Sequence, residues 1–156
     1  MANALLISIL LSILPISELR GGIIYAIGLG VNPVLAFFAD TSANALVVFL
    51  IFFFLDNLHK HFLKLKLYEN IFNRYIDKMR LKIENKIGTK KEFWALLLLV
   101  AIPAPFTGAY TGSVLAWLFG VKRKKAYLAI ILGVVIAGII VTLSALKFFS
   151  LFWFFE

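Results

Sequence analysis

The chain has 156 residues, 62% of them apolar and 15% aromatic, with a mean hydropathy of +0.97 and a formal net charge of +8. That composition excludes a soluble globular domain, and the length leaves room for one small integral membrane domain without a separate soluble catalytic domain. The absence of cysteine excludes disulfides, thiolate chemistry and Cys-based metal sites.

The first apolar run, Leu5–Leu14, is too short to cross a bilayer and is broken by Pro15. Residues 1–14 carry no basic n-region and no small-x-small cleavage site, so they read as mature sequence and not as a signal peptide. Ile16–Val31 is about one half-span and contains Glu18, Arg20 and the glycines 21, 22, 28 and 30. Asn32-Pro33 then offers a cap residue followed by proline at the first helical position. Pro33–Leu55 has 23 residues, long enough to cross a hydrocarbon core of ~30 Å with some tilt.

The connector is basic. Tyr68, Ile71, Phe72, Tyr75, Met79, Ile83 and Ile87 recur at three- and four-residue spacing with Lys and Arg on the other face, which predicts an amphipathic helix ending near Gly88. It is expected to lie in the headgroup plane or to pack on the bundle or a second subunit. Thr89-Lys90-Lys91-Glu92 has capping-box spacing for the next helix. His59 and His61 read as a solvated, headgroup-facing pair, so no metal site is expected.

The second half repeats the plan of the first. Phe93–Ile102 is short, Pro103-Ala104-Pro105 breaks it, Phe106–Gly120 is another half-span, and Ala126–Phe148 is of spanning length. Shifted by 90 positions, residues 15–39 match residues 105–129 at seven of 25 places. The identities are Pro15/Pro105, Gly22/Gly112, Ala26/Ala116, Gly30/Gly120, Val31/Val121, Ala36/Ala126 and Ala39/Ala129. Paired broken hydrophobic segments at corresponding positions point to a transporter-type site. The expected organisation is one membrane domain, with repeats at 4–55 and 93–150 joined by a connector at 56–92.

Charge placement selects the topology. Of the 16 Lys and Arg residues, ten lie between Lys60 and Lys91 and four form the 122–125 cluster. If each broken segment crossed the membrane once, these clusters would lie on opposite faces, against the positive-inside rule. If each is a re-entrant hairpin, both clusters face the cytoplasm and both termini lie outside. The expected fold is therefore an all-α integral membrane protein. It holds an inverted repeat of two re-entrant helical hairpins, each followed by a transmembrane helix, plus a cytoplasmic amphipathic helix.

Small-residue stripes (Gly22, Ala26 and Gly30; Gly108, Gly112, Ala116 and Gly120) are expected to bring the two hairpins together along a pseudo-twofold axis. Few ionisable residues fall within the apolar part: Glu18, Arg20 and Asp40. At ~2.5–3.5 kcal/mol each at a helix centre, none is expected to face lipid. Glu18 follows the hairpin proline, where unwound backbone and a helix N-terminus can hold ions or headgroups. Asp40 has Asn44 one turn further on the same face, and a carboxylate in a dry cavity suits proton coupling. Arg20 has the fork geometry to hold a phosphate or carboxylate. Pro103, Pro105, Thr107, Gly108, Tyr110 and Thr111 could offer carbonyls and hydroxyls to a shared cavity. A self-neutralising structural cluster, with ordinary helix–helix hydrogen bonds, accounts for the same residues. No nucleophile elbow, P-loop or zinc motif is present.

At Leu14-Pro15-Ile16-Ser17-Glu18-Leu19-Arg20-Gly21-Gly22, and again at Ile102-Pro103-Ala104-Pro105-Phe106-Thr107-Gly108, the chain resembles the small multidrug export family, related to the DedA (VTT-domain) superfamily. The resemblance implies two inverted re-entrant hairpins and movement of lipids between leaflets, often with proton dependence. The important carboxylates there would correspond to Glu18 and Asp40. The second hairpin lacks the pair of basic residues of DedA proteins, and Tyr110 and Thr111 stand in that neighbourhood, so headgroup recognition would rest on Arg20.

The expected function is a transporter, flippase or scramblase of a lipid or amphipathic substrate, with no enzyme activity and no cofactor. A small multidrug exporter, or a membrane-organising structural protein acting through its basic helix, are the alternatives. The expected partners are membrane lipid, protons and a second copy of the chain in a homodimer. Nucleic acid is not expected, since nothing here reads a groove.

Overall fold

A computed structural model describes residues 2–57, 66, 70, 74, 91–104 and 107–154. Its elements among these residues are helices: α1 (Ala2–Ile13), α2 (Glu18–Gly28), α3 (Pro33–Asn57), α4 (Glu92–Ala101), α5 (Ala109–Leu118) and α6 (Arg123–Phe154). The apolar residues of the sequence-predicted amphipathic helix, Tyr68 to Ile87, and His59, His61, Thr89, Pro105 and Phe106 lie outside the described residues, while Lys66, Asn70 and Arg74 are helical. Lys91, with no side-chain cap bond, precedes α4, which begins at Glu92; Thr89, the N-cap that the capping-box spacing predicts, lies outside the described residues.

Length separates the helices into two kinds. Two are long and apolar enough to cross a membrane: Pro33–Asn57, with mean hydropathy 2.0, and Arg123–Leu151, with mean hydropathy 2.8. At 1.5 Å per residue they run ~38 and ~44 Å. The helices α1, α2, α4 and α5 have 10 to 12 residues each, or ~15–18 Å, about half a hydrocarbon core.

The same turn joins α2 to α3 and α5 to α6. Gly30 (φ 76°) and Gly120 (φ 65°) both lie in the left-handed region. The Gly30 N–H donates to the Ile27 carbonyl at 3.0 Å and the Val31 N–H to the Ala26 carbonyl at 3.0 Å. In the second half the Gly120 N–H donates to Trp117 at 3.1 Å and the Val121 N–H to Ala116 at 2.9 Å. These are the two bonds of a Schellman motif, with the glycine just past the helix end. Three of the seven repeat identities, Ala26/Ala116, Gly30/Gly120 and Val31/Val121, therefore have one local cause. Asn32 then caps α3, its Oδ1 accepting from the Val34 N–H at 2.9 Å. The second half has Lys122 there and no such cap.

The long helices run antiparallel. Phe37 and Thr41 of α3 pack at Gly138 of α6, while Phe49 stacks on Tyr127 at 4.7 Å between centroids and Phe52 meets the same ring edge-on at 5.0 Å. Large apolar side chains stay exposed along both, including Leu46, Leu50 and Phe53 on α3 and Leu128, Leu132 and Leu143 on α6. Buried between the helices are Ser8, Ser12, Glu18, Asp40, Asn44 and Ser113. An apolar exterior over a partly polar interior suits a lipid surround.

The glycine stripes do not meet each other, contrary to the sequence expectation. Gly22 makes room for Ser8, Ser12 and Asp40 of α1 and α3. Gly112 makes room for Val100 of α4 and Ile130 of α6, and Gly133 of α6 admits Val100 from the other side. Gly30 and Gly120 touch nothing within 4 Å, so they serve the turn and not packing. Gly22 and Gly112 each make room for neighbours in their own half, while Gly108 of the second stripe meets the Glu18 carboxylate of the first half. The halves also differ: α1 packs mainly along α2, whereas α4 packs mainly along α6 and only lightly on α5.

Candidate functional site

The two half-length helices α2 and α5 start from one point and run to opposite ends of the α3/α6 pair. At the start, the Glu18 carboxylate lies where a side chain on Gly108 would sit. At the far ends, Gly28 of α2 is covered by Phe149 near the C-terminal end of α6. Trp117 of α5 donates from Nε1 to Asp56, at the C-terminal end of α3, at 2.9 Å. Arg123, at the start of α6, bonds the same carboxylate and lies 4.3 Å over the Phe52 ring. Lys125 reaches Glu92 of α4 at 3.1 Å. The end of α3 and the starts of α4 and α6 are thus gathered at one end of the molecule.

The junction is built around Glu18, which is 7% exposed. Its backbone takes φ 48°, a left-handed conformation costing roughly 1–2 kcal/mol in a residue with a Cβ. The residue is held there by the 14–17 break, where the Glu18 N–H bonds the Leu14 carbonyl at 2.9 Å. The carboxylate accepts from the Tyr110 backbone N–H. It thereby caps α5, whose own N-cap residue is Gly108 and which has no side-chain cap. An acid at a helix N-terminus is electrostatically favoured.

Arg20 stands beside it, 3.9 Å from the Glu18 carboxylate. Its guanidinium is directed mainly into the 102–108 segment: Nη1 donates to the Ala104 carbonyl at 2.5 Å, and Nη2 donates to the Thr107 carbonyl and reaches Thr107 Oγ1 at 3.2 Å. The Thr107 hydroxyl lies 2.7 and 2.8 Å from the Ala104 and Ile102 carbonyls. Tyr110 closes the other side, its hydroxyl donating to the Ile13 carbonyl at the end of α1. The structure thus brings Glu18, Arg20, Thr107, Gly108 and Tyr110 together beside the breaks that contain Pro15 and Pro103. Thr111 is buried one residue further along α5.

Asp40 and Asn44 form a second cluster one turn along α2, against Gly22. The Ser12 hydroxyl donates to Asp40 Oδ1 at 2.9 Å, and Asn44 Nδ2 donates to the Ser12 carbonyl at 2.8 Å. Ser8 and Ser12 were not singled out from the sequence. Their spacing of four within the apolar run of a short helix is the signal that could have found them. An apolar groove of about 330 Å³ opens beside Tyr110, lined by Ile13, Val47, Leu50, Ile51, Phe54, Leu55 and Val114.

Residues 18–140 match the model of a family described as "Putative small multi-drug export protein". The matched span contains Glu18, Arg20, Thr107, Gly108 and Tyr110 and all of α2, α3, α4 and α5. No curated protein and no solved structure matches the chain.

Proposed function

The chain belongs to the small multi-drug export family, and on that premise we propose that it is a membrane transporter of an amphipathic substrate, with Glu18 as its coupling carboxylate. One observation carries the reading: the N-terminal ends of two half-length helices meet at a buried acid, between two antiparallel helices of spanning length. Discontinuous helices pointing their N-termini at a shared point are how many secondary transporters hold polar groups in a dry environment. Shared placement of the α3 end with the α4 and α6 starts supports both basic clusters on one face, and hence two re-entrant hairpins of inverted sense with both termini outside. In this reading the polar head of the substrate meets Arg20, Thr107 and Tyr110, and its apolar part lies in the 330 Å³ groove, a volume within the range of small-molecule sites.

A phospholipid or polyprenyl carrier, as in the DedA superfamily, is the proposed substrate class. The family description favours a second reading, export of drug-like amphipaths. Liposomes carrying the purified chain, a fluorescent phospholipid and a lumenal pH probe test both. Glu18→Gln should cut lipid translocation and the accompanying proton flux at least tenfold, and equal rates would remove Glu18 from the mechanism. Transport of a drug-like fluorescent dye by the wild type, lost in Glu18→Gln, with no lipid movement in the wild type, would favour the drug reading. Activity abolished by replacing the Lys and Arg residues of 60–91, and untouched by Glu18→Gln, would make the protein a membrane-organising one.

We also propose a homodimer. Ile16 is 99% and Ile102 55% exposed, each in a backbone break at the depth of the junction, where lipid cannot satisfy free peptide groups. A second copy would cover them. Mass measurement in mild detergent and in nanodiscs should give twice the chain mass, and a monomer in both would remove the dimer.

A further inference from the structure

The cluster around Asp40 has more oxygen than its hydrogen bonds use. Asp40 and Asn44 are both 0% exposed. Both anchor on Ser12, Asp40 through the hydroxyl and Asn44 through the carbonyl. By geometry their second oxygens, Asp40 Oδ2 and Asn44 Oδ1, have no hydrogen-bond partner, the neighbouring Ser8 hydroxyl donating to the Leu5 carbonyl at 2.8 Å. The Asn44 amide cannot turn over to cure this, because its carbonyl would then face the Ser12 carbonyl. Two buried acceptors one helical turn apart on α3 are thus left unpaired, which is costly unless something positive meets them.

The neighbouring Ser8 and Ser12 oxygens are of the kind that binds a hard cation. The Ser12 hydroxyl and the Ser8 carbonyl converge with Asp40 Oδ1, the carboxylate oxygen bonded to Ser12, on the missing side chain of Gly22. The helix α1 ends at Ile13, so its C-terminal carbonyls, the negative end of its dipole, lie beside the cluster. Among the described residues, the ion pairs formed by Lys and Arg go to Glu18, Asp56 and Glu92, not to Asp40. A single carboxylate among neutral oxygens matches one positive charge. No group of three His, Asp or Glu side chains able to hold a metal occurs among the described residues, which argues against a divalent or transition ion.

We propose that Asp40, Asn44, Ser8 and Ser12, closed by Gly22 and the C-terminal end of α1, bind a dehydrated monovalent cation of the size of Na⁺. The site is distinct from the Glu18 junction and holds whether or not the chain transports lipid. Half-helix C-terminal ends serve as coordinating groups for Na⁺ in discontinuous-helix transporters, and here the carbonyl end, the acid and the amide are brought to one place by α1, α2 and α3.

The test uses the purified full chain in detergent at fixed ionic strength and slightly alkaline pH. Its unfolding temperature should rise by several degrees as NaCl replaces choline chloride, saturating with concentration, and rise less with KCl. Radioactive sodium should bind stoichiometrically by equilibrium dialysis. Asp40→Asn should abolish the sodium response, Ser12→Ala should weaken sodium binding at least tenfold, and Glu18→Gln should leave it intact. Should Asp40→Asn not fold, Ser12→Ala and wild-type dialysis decide the matter. Equal unfolding temperatures in sodium and choline, a response to pH alone, or a sodium response lost in Glu18→Gln but kept in Asp40→Asn would each overturn the proposal.

Discussion

Gly108→Ala is the most demanding single perturbation of the junction. Residue 108 has φ 149° and ψ −162°, a region that costs a residue with a Cβ about 1–3 kcal/mol. The added methyl would also land on the Glu18 carboxylate. The acid must then withdraw from the Tyr110 N–H, and α5 loses its cap, which is worth about 0.5–2 kcal/mol. Together these give about 2–5 kcal/mol, a large share of a marginal folding free energy. For a chain of this length the unfolding temperature should fall on the order of 10 °C. The decisive form is a double-mutant cycle, read by thermal unfolding in detergent. In a Glu18→Ala background the methyl has no carboxylate to displace, so only backbone strain remains. The cost of Gly108→Ala should then shrink by about 1–2 kcal/mol, the coupling expected of residues in contact. An identical cost in both backgrounds would refute the seating of Glu18 on Gly108.

Other perturbations separate the roles of neighbouring residues. Gly30→Ala and Gly120→Ala meet no atoms, so each should cost only the left-handed penalty of about 1–2 kcal/mol, and Gly30→Asn less, by thermal unfolding; a larger loss would mean the turns are packed. Arg20→Lys should lower the unfolding temperature by a few degrees, since an ammonium cannot reach the Ala104 and Thr107 carbonyls together, and each charged hydrogen bond is worth about 1.5–3 kcal/mol. An unchanged melting curve would show that Arg20 does not hold the 102–108 segment. Asp56→Ala removes an ion pair whose side chains are 40% and 44% exposed and the Trp117 hydrogen bond to the same carboxylate, so its cost should stay near or below ~2 kcal/mol; a greater one would place that end out of water.

The elements were legible from run lengths and breakers. Pro15, Asn32-Pro33 and Pro103 each act on the backbone within a few residues, and the 90-residue repeat marks the two Schellman turns because those turns need glycine at one position. The junction was legible in part. A proline, an acid and a charged neighbour inside an apolar run single out Glu18 and Arg20, but not what they face. That Glu18 caps α5, and that Arg20 bonds main-chain carbonyls of the second half, depend on packing across about 90 residues, which no local pattern encodes. The stripes were misread for the same reason: spacing fixes which residues share a helix face, while the neighbour on that face is set by tertiary contacts. Gly22 serves Asp40 and Gly112 serves Val100, although the sequence makes the two glycines equivalent.

The central claim is that α2 and α5 leave one interior point for opposite sides of the membrane. The chain lacks cysteine, so single cysteines at Asn32, Asn57 and Lys124 can be labelled with an impermeant maleimide in intact and permeabilised cells. Asn32 follows α2, Lys124 follows α5, and Asn57 ends α3. Asn32 should label from outside, and Asn57 and Lys124 only after permeabilisation. Labelling of Asn57 and Lys124 from opposite sides, or of Asn32 from the same side as Lys124, would contradict it.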